Sequence, residues 1–322
     1  MPQKLVGIAR LAQQAPVLLE KRTASYFELP SSKLLNKCDS PRVPFEWTIN
    51  PYRGCEFGCK YCYARYTHEF MELREPDDFE WKIYAKQWNR SDLRADLRKI
   101  DPKHWVAIGT ATDPYQPAER RYGLTRSILE ILAGFSGRRF SITTKSDLVT
   151  RDVDLITRIA ANNAMSVNMT ITTMDEELAR KLEPRAPRPE LRVEAVRVLR
   201  NAGVHTGVLC APAMPLINDR EPQLEALAAA VAAAGAEFLW ANPLFLKPCS
   251  KAVFLPFVEQ EFPHLAAKYR QAYERSAYLR GDYAKRLRDR LERVRARFGL
   301  DRRIEFEPPE WREEEQLALP FD

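Results

Sequence analysis

Six short β-prone runs, each leading through a polar turn into an amphipathic helix, predict an α/β fold built on a parallel sheet. Parallel neighbours need crossovers long enough to hold a helix, and the spacing between these runs provides them. The polar and cysteine-bearing stretches fall just after the runs, at the strand ends where ligands gather in such folds. Alternation alone leaves two architectures open, a partial barrel and an open doubly wound sheet.

Residues 1–44 mix short apolar pieces with basic and small residues, and Pro2, Pro16, Pro30, Pro41 and Pro44 argue against a long helix. They read as an arm or cap on the main domain. Phe45 to Ile49 is the first run, and Trp105 to Gly109 the second, followed by a helix over Leu124 to Leu132. Phe140 to Thr144 is the third, with a helix over Val153 to Ala161, and Met165 to Thr172 the fourth, with a helix near Glu176 to Leu182. A helix over Glu190 to Arg200 closes at Asn201-Ala202-Gly203 before the fifth run, Val204 to Cys210. The alanine-rich Leu224 to Ala234 stops at Gly235, and Phe238 to Ala241 is the sixth run. This gives three segments: an arm over 1–44, a main domain over 45–258 and a helical region over 259–322.

That last region is electrically divided. Lys268 to Arg303 holds 13 Lys and Arg against 5 Asp and Glu, a net of +8, while Ile304 to Asp322 holds 1 Arg against 7 acids, a net of −6. A basic helix can be a nucleic-acid footprint. It is equally a solvated face neutralised by acids, and the structural reading is preferred here. The whole chain, 322 residues at +6, permits an acidic partner without demanding one. No run reaches about 18 apolar residues, so a membrane span is not expected. Six cysteines in a chain this long do not make a disulfide scaffold, and reduced thiols fit the cytoplasm.

The most informative stretch follows the first run: NPYRGCEFGCKYCYAR, Asn50 to Arg65. Cys55, Cys59 and Cys62 form C-x3-C-x2-C. A disulfide would strand one thiol of the three, whereas a [4Fe–4S] cluster uses all three and leaves one iron open for chemistry. Two plainer readings stand beside it. Zinc can take three thiolates with His68 or Cys38 as a fourth ligand, although no second C-x2-C knuckle appears. Alternatively, the thiols are incidental packing. Cys38 is expected to be a free thiol.

C-x3-C-x2-C with an aromatic residue before the last cysteine resembles the signature of the radical S-adenosylmethionine (SAM) enzymes, and the longer run resembles the branch related to spore photoproduct lyase. The resemblance implies the partial (β/α)6 TIM-type barrel rather than the doubly wound sheet. It implies a [4Fe–4S] cluster on Cys55, Cys59 and Cys62, and SAM on the open iron as the source of a 5′-deoxyadenosyl radical that takes hydrogen from a substrate. An external electron donor such as flavodoxin or ferredoxin, and nucleic acid as a partner, are further implications.

Several residues are expected around SAM. Tyr61 resembles the aromatic residue beside the adenine. Thr110, Thr112 and Asp113, after the second run, replace a glycine-rich loop that contacts the amino group, although Asp113 can instead cap the turn before Pro114. Lys145 is the expected partner of the SAM carboxylate, with Ser146 assisting or capping the next helix. Asn168, Thr170 and Thr172 alternate on one face and can meet ribose hydroxyls. Arg185, between Pro184 and Pro187, is the arginine expected to reach cofactor or an anionic substrate.

One departure matters. Lesion-repairing lyases carry a hydrogen-donating cysteine after the second strand, and Gly109 to Asp113 has none. Cys210 and Cys249 are the two candidate hydrogen-atom donors. A repair function is therefore not carried over whole. A nucleic-acid-modifying enzyme and a non-catalytic Fe–S or zinc module remain the rival readings.

Overall fold

The computed structural model describes residues 5–20, 24–31, 33–279 and 281–302. The acidic stretch from Ile304 to Asp322 lies outside the described residues. The chain opens with helix α1 (Gly7–Gln14) and strands β1 (Val17–Glu20), β2 (Ser25–Pro30) and β3 (Leu35–Lys37). Then come β4 (Trp47–Ile49) and β5 (Tyr52–Arg53), flanking the entry to the cysteine loop. Short helices α2 (Tyr66–Glu69) and α3 (Asp78–Trp81) lead to β6 (Lys82–Gln87) and α4 (Arg90–Arg98). The expected alternation follows: β7 (Trp105–Ile108), α5 (Glu119–Tyr122), α6 (Leu124–Leu132), β8 (Arg139–Thr144), α7 (Val153–Ala160), β9 (Ala164–Thr170), α8 (Glu176–Leu182), α9 (Pro189–Asn201), β10 (His205–Ala213), α10 (Glu221–Ala233) and β11 (Leu239–Pro243). Helices α11 (Pro248–Glu261), α12 (Pro263–Tyr273) and α13 (Tyr283–Phe298) complete it.

The main sheet has seven strands in the order β11-β10-β9-β8-β7-β4-β3. The six predicted strands are all parallel and lie in strict chain order. That order decides between the two architectures. A doubly wound sheet reverses direction at a switch point, whereas a singly wound arc does not. The fold is the partial barrel, its arc ending at β11 on one side and at the antiparallel β3 on the other.

The first 44 residues do more than cap. β2 runs parallel to β6, which pairs with β5, so this arm builds a four-stranded sheet, β1-β2-β6-β5, against the cysteine loop. Pattern reading gave no hint of it, because β6 is a lone six-residue run outside the βα rhythm. The main core lies along the arc, with Ile108, Ile142, Val167, Met169 and Val208 from the strands facing Ile128, Leu132, Ile156 and Leu199 from the helices.

Helix α13 is basic, yet Leu287, Leu291 and Val294 are buried at i, i+4 and i+7, each worth about 1.5–3 kcal/mol if fully removed from water. Three of its arginines pair with the scaffold: Arg290 with Asp219, Arg293 with Glu221 and Arg297 with Glu225. Arg295 lies 4.1 Å over the Trp240 ring. Much of this helix's charge is spent on docking it to α10 and β11. No helix among the described residues is long and apolar enough to cross a membrane.

Candidate active site

The cysteine loop turns sharply twice, at Gly54 (φ 80°) and Gly58 (φ 66°). A Cβ on Gly54 would stand 2.7 Å from the Lys82 carbonyl oxygen, and one on Gly58 would stand 2.8 Å from Glu80 Oε2. Only glycine meets both the dihedral and the space. Arg65 holds the loop's backbone at the Cys59 carbonyl (3.0 Å) while its guanidinium pairs with buried Glu80. Gln116, wholly buried, donates to the Gly54 carbonyl and accepts from the Glu56 N–H, both at 3.0 Å. Tyr26 of β2 donates to Glu56 at 2.6 Å, which ties the N-terminal sheet to the motif.

Cys55 and Cys59 are buried and Cys62 is half-buried. Burial pushes all three thiols up, Cys59 to about 12. Cys55 and Cys59 are raised further by neighbouring thiols of the trio, so the three form one electrostatic group. Such thiols ionise readily only when a positive centre takes them. Among the described residues no three His, Cys, Asp or Glu side chains crowd together as ligands of a single metal ion do. A cubane binds each thiolate at a separate iron, whereas zinc would gather its ligands on one ion. His68 is also engaged elsewhere, with Nε2 3.0 Å from the Lys82 carbonyl oxygen and its ring edge-on to Phe79.

Around the trio lies a charged network. Lys145, at the end of β8, opposes the burial of Cys59 and Cys62, and its ammonium sits 5.7 Å from the Tyr61 ring centroid. Burial lowers the Lys145 pKa, but Cys59, Glu183 and Asp113 outweigh it and the net direction is up. Among the described residues no acceptor hydrogen-bonds this ammonium, so it is free to receive a carboxylate. Glu183, wholly buried beyond α8, accepts from the Tyr61 hydroxyl and from Thr172 (3.2 Å), and Arg192 pairs with it at 2.5 Å. Arg192 also donates to the carbonyls of Pro187 (2.8 Å) and Thr170 (3.1 Å).

The other predicted residues take plainer positions. Thr110 accepts from Asn50 at 3.2 Å and, through its carbonyl, from the Tyr63 hydroxyl. Thr112 donates to the Gly54 carbonyl at 2.6 Å. Both brace the cysteine loop. Asp113 accepts from Thr144 and the Lys145 N–H at 2.7 Å, and from the Tyr115 N–H at 2.9 Å. It fixes the strand end that carries Lys145. Burial still raises its carboxyl pKa overall. Ser146 caps the turn at Leu148 (3.3 Å). Asn168 stands 3.5 Å from Thr143 Oγ1, and Thr170 is buried.

Arg185 is brought to the cysteine loop's backbone. It donates to the Glu56 carbonyl, pairs with Glu80 at 2.5 Å and lies 4.1 Å over the Trp81 ring. A second buried arginine, Arg192, acts on Cys59 and pairs with Glu183, whereas the sequence favoured Arg185 over it. Its position on the inner face of α9, in register with Val196 and Leu199, was the available signal. Gln116 and Asn50 gave none. Cys210 is fully buried, donates to the Thr172 carbonyl at 3.5 Å, and is pushed to about 12 by burial with Glu183 and Asp219 nearby. Cys249 instead lines a cavity of about 380 Å³ with Arg65, His68 and Glu69.

A family model described as the radical SAM superfamily matches residues 49–228, more than half of the chain. The chain belongs to the radical SAM superfamily. It is 35% identical over 288 residues to an uncharacterized protein of Mycobacterium tuberculosis, covering 89% of this chain and 84% of the relative. An uncharacterized protein of Methanocaldococcus jannaschii is 29% identical over 198 residues, 61% of this chain and 72% of its own length. Spore photoproduct lyase with bound AdoMet and dinucleoside spore photoproduct shares the fold, with a TM-score of 0.63 at 20% identity over 84% of this chain and 79% of that one. A second structure, the same lyase complexed with dinucleoside spore photoproduct, gives 0.62 at 19% over the same shares. As a radical SAM enzyme it takes a [4Fe–4S] cluster and SAM as cofactors.

Proposed function

We propose that Cys55, Cys59 and Cys62 hold the cluster, and that SAM lies against Lys145 and Tyr61 at the carboxyl ends of the parallel strands. When bound, the reduced cluster supplies the electron that cleaves the sulfonium of SAM, giving methionine and a 5′-deoxyadenosyl radical that takes hydrogen from the substrate. The free Lys145 ammonium beside two of the three thiols is the observation that carries this reading. Lys145 neutralises the methionyl carboxylate, and Asp113 holds the strand end that presents it. Glu183 orients Tyr61 and balances the positive charge of Lys145 and Arg192. Gln116, Thr112 and Arg65 brace the loop that carries the three thiols at its Gly54 and Cys59 carbonyls. An external one-electron donor of the flavodoxin or ferredoxin kind supplies the reductant.

Of the two candidate donors, Cys210 fits better. It stays protonated and lies close enough to Glu183 to be influenced by it, whereas Cys249 is half-buried and lines a cavity with His68 and Glu69. A nucleic-acid substrate is the second reading, suggested by the dinucleoside bound in the lyase of similar fold. The pairing of α13 with the scaffold gives it no help. The test is reconstitution with iron and sulfide under anaerobic conditions, followed by SAM titration of wild type and Lys145→Met. Wild type binds SAM and forms 5′-deoxyadenosine; Lys145→Met keeps its iron and loses affinity. Equal affinity in both proteins removes the assignment.

A further inference from the structure

Two cations stand together outside this centre, Lys86 buried and Arg53 half-buried. Tyr52 pairs with Ala85 and Arg53 with Tyr84 across the antiparallel β5–β6 ladder, and the Lys86 N–H reaches the Pro51 carbonyl at 3.1 Å. Lys86 is two residues beyond Tyr84, so the Arg53 and Lys86 side chains leave the same face of the sheet. Lys86 is only 7% exposed, and among the described residues its ammonium has no hydrogen-bond or ion-pair partner. Arg53 donates to the Thr67 carbonyl at 3.1 Å, but its Nε is buried without an acceptor.

The charged group that reaches Lys86 is Arg53, and the one that reaches Arg53 from outside the pair is the Tyr66 phenol; neither meets a carboxylate. Lys247 lies 3.4 Å over the Tyr66 ring, adding a third positive charge alongside. By contrast, buried Arg65 is paired with Glu80 and buried Arg192 with Glu183. A buried cation beside a like charge and without a counter-ion is costly, and burial, with Arg53 adding to it, lowers the Lys86 pKa to about 7.

We propose that Arg53 and Lys86 form a binding site for a phosphate-class oxyanion, separate from the Lys145 centre. The guanidinium supplies a directed Nε–H and the ammonium a second positive charge, a combination suited to a doubly charged tetrahedral anion. The phosphate can belong to a small nucleotide or to a nucleic-acid strand. The site does not depend on the radical chemistry, so its failure and that of the SAM assignment are separable.

The test uses cluster-loaded full-length protein, kept anaerobic, titrated with inorganic phosphate at constant ionic strength, with acetate as control. The unfolding temperature should rise saturably with phosphate and not with acetate. Lys86→Met should lose that rise while keeping its iron content and its 5′-deoxyadenosine formation, and its melting temperature without phosphate should be equal or higher. Lys86→Gln repeats the measurement with a polar side chain. No phosphate effect in wild type, or one that persists in both variants, overturns the site. Thymidine monophosphate and a single-stranded oligothymidylate, each competed against phosphate, then identify the source. Failure of both to displace phosphate also overturns it.

Discussion

Two buried glutamates serve the cysteine loop in different ways. Glu80 takes Arg65 and Arg185, and both arginines then grip loop carbonyls at Cys59 and Glu56. Glu183 takes Arg192 and the Tyr61 hydroxyl, and faces Lys145. One carboxylate shapes the backbone that holds the thiols; the other sets the charge around them. Both are held below the usual carboxylate range by their arginines against the opposing effect of burial. Similar pairs therefore differ in what they serve, and the sequence pointed only to Arg185, by its place between Pro184 and Pro187.

Substitutions can break that division. Cys59→Ala sets the scale, with iron content falling to background on reconstitution. Glu80→Gln and Glu183→Gln should each destabilise the protein by about 3–5 kcal/mol in denaturant titration, because each leaves a buried arginine short of its counter-charge. They should differ in iron. Glu80→Gln retains less cluster per folded molecule, while Glu183→Gln retains it and binds SAM more weakly. Equal iron loss in the two variants would erase the distinction. Lys145→Met should cost about 1.5–3 kcal/mol of SAM affinity, the worth of a hydrogen bond to a charged group, with iron unchanged by metal analysis.

A smaller effect belongs to the Glu80 side. His68 packs on Phe79, and burial pushes its imidazole down to about 4. The unfolded chain binds a proton near pH 6.5 that the native imidazole refuses until about pH 4, so stability falls as pH drops through that window. Between pH 7 and 5 the loss should be about 2 kcal/mol, and His68→Gln should flatten it in pH-dependent unfolding.

Much of the arc was legible in the chain. The helices at Leu124–Leu132 and Glu176–Leu182 fall where their apolar spacing puts them, and the six strands differ from expectation only at their ends. The N-terminal sheet was not legible, because 51 residues, 31–81, separate β2 from β6 and the two strands pair only in space. Among site residues, the cysteine spacing and Lys145 were the ones the sequence itself brought forward. Thr110, Thr112 and Asp113 looked like cofactor contacts because they are polar and follow a strand. In the structure those same properties hold the loop and the β8 end. A polar strand end announces that hydrogen bonds are made there, and not to whom.

The central claim is that the three thiols and Lys145 assemble one SAM-cleaving centre. Its most direct measurement is the EPR spectrum of the reduced, anaerobically reconstituted protein with and without SAM, followed by assay for 5′-deoxyadenosine. The account predicts a changed cluster signal on adding SAM and 5′-deoxyadenosine in the presence of a strong reductant. An unchanged signal from a fully loaded cluster, with no 5′-deoxyadenosine, would contradict it.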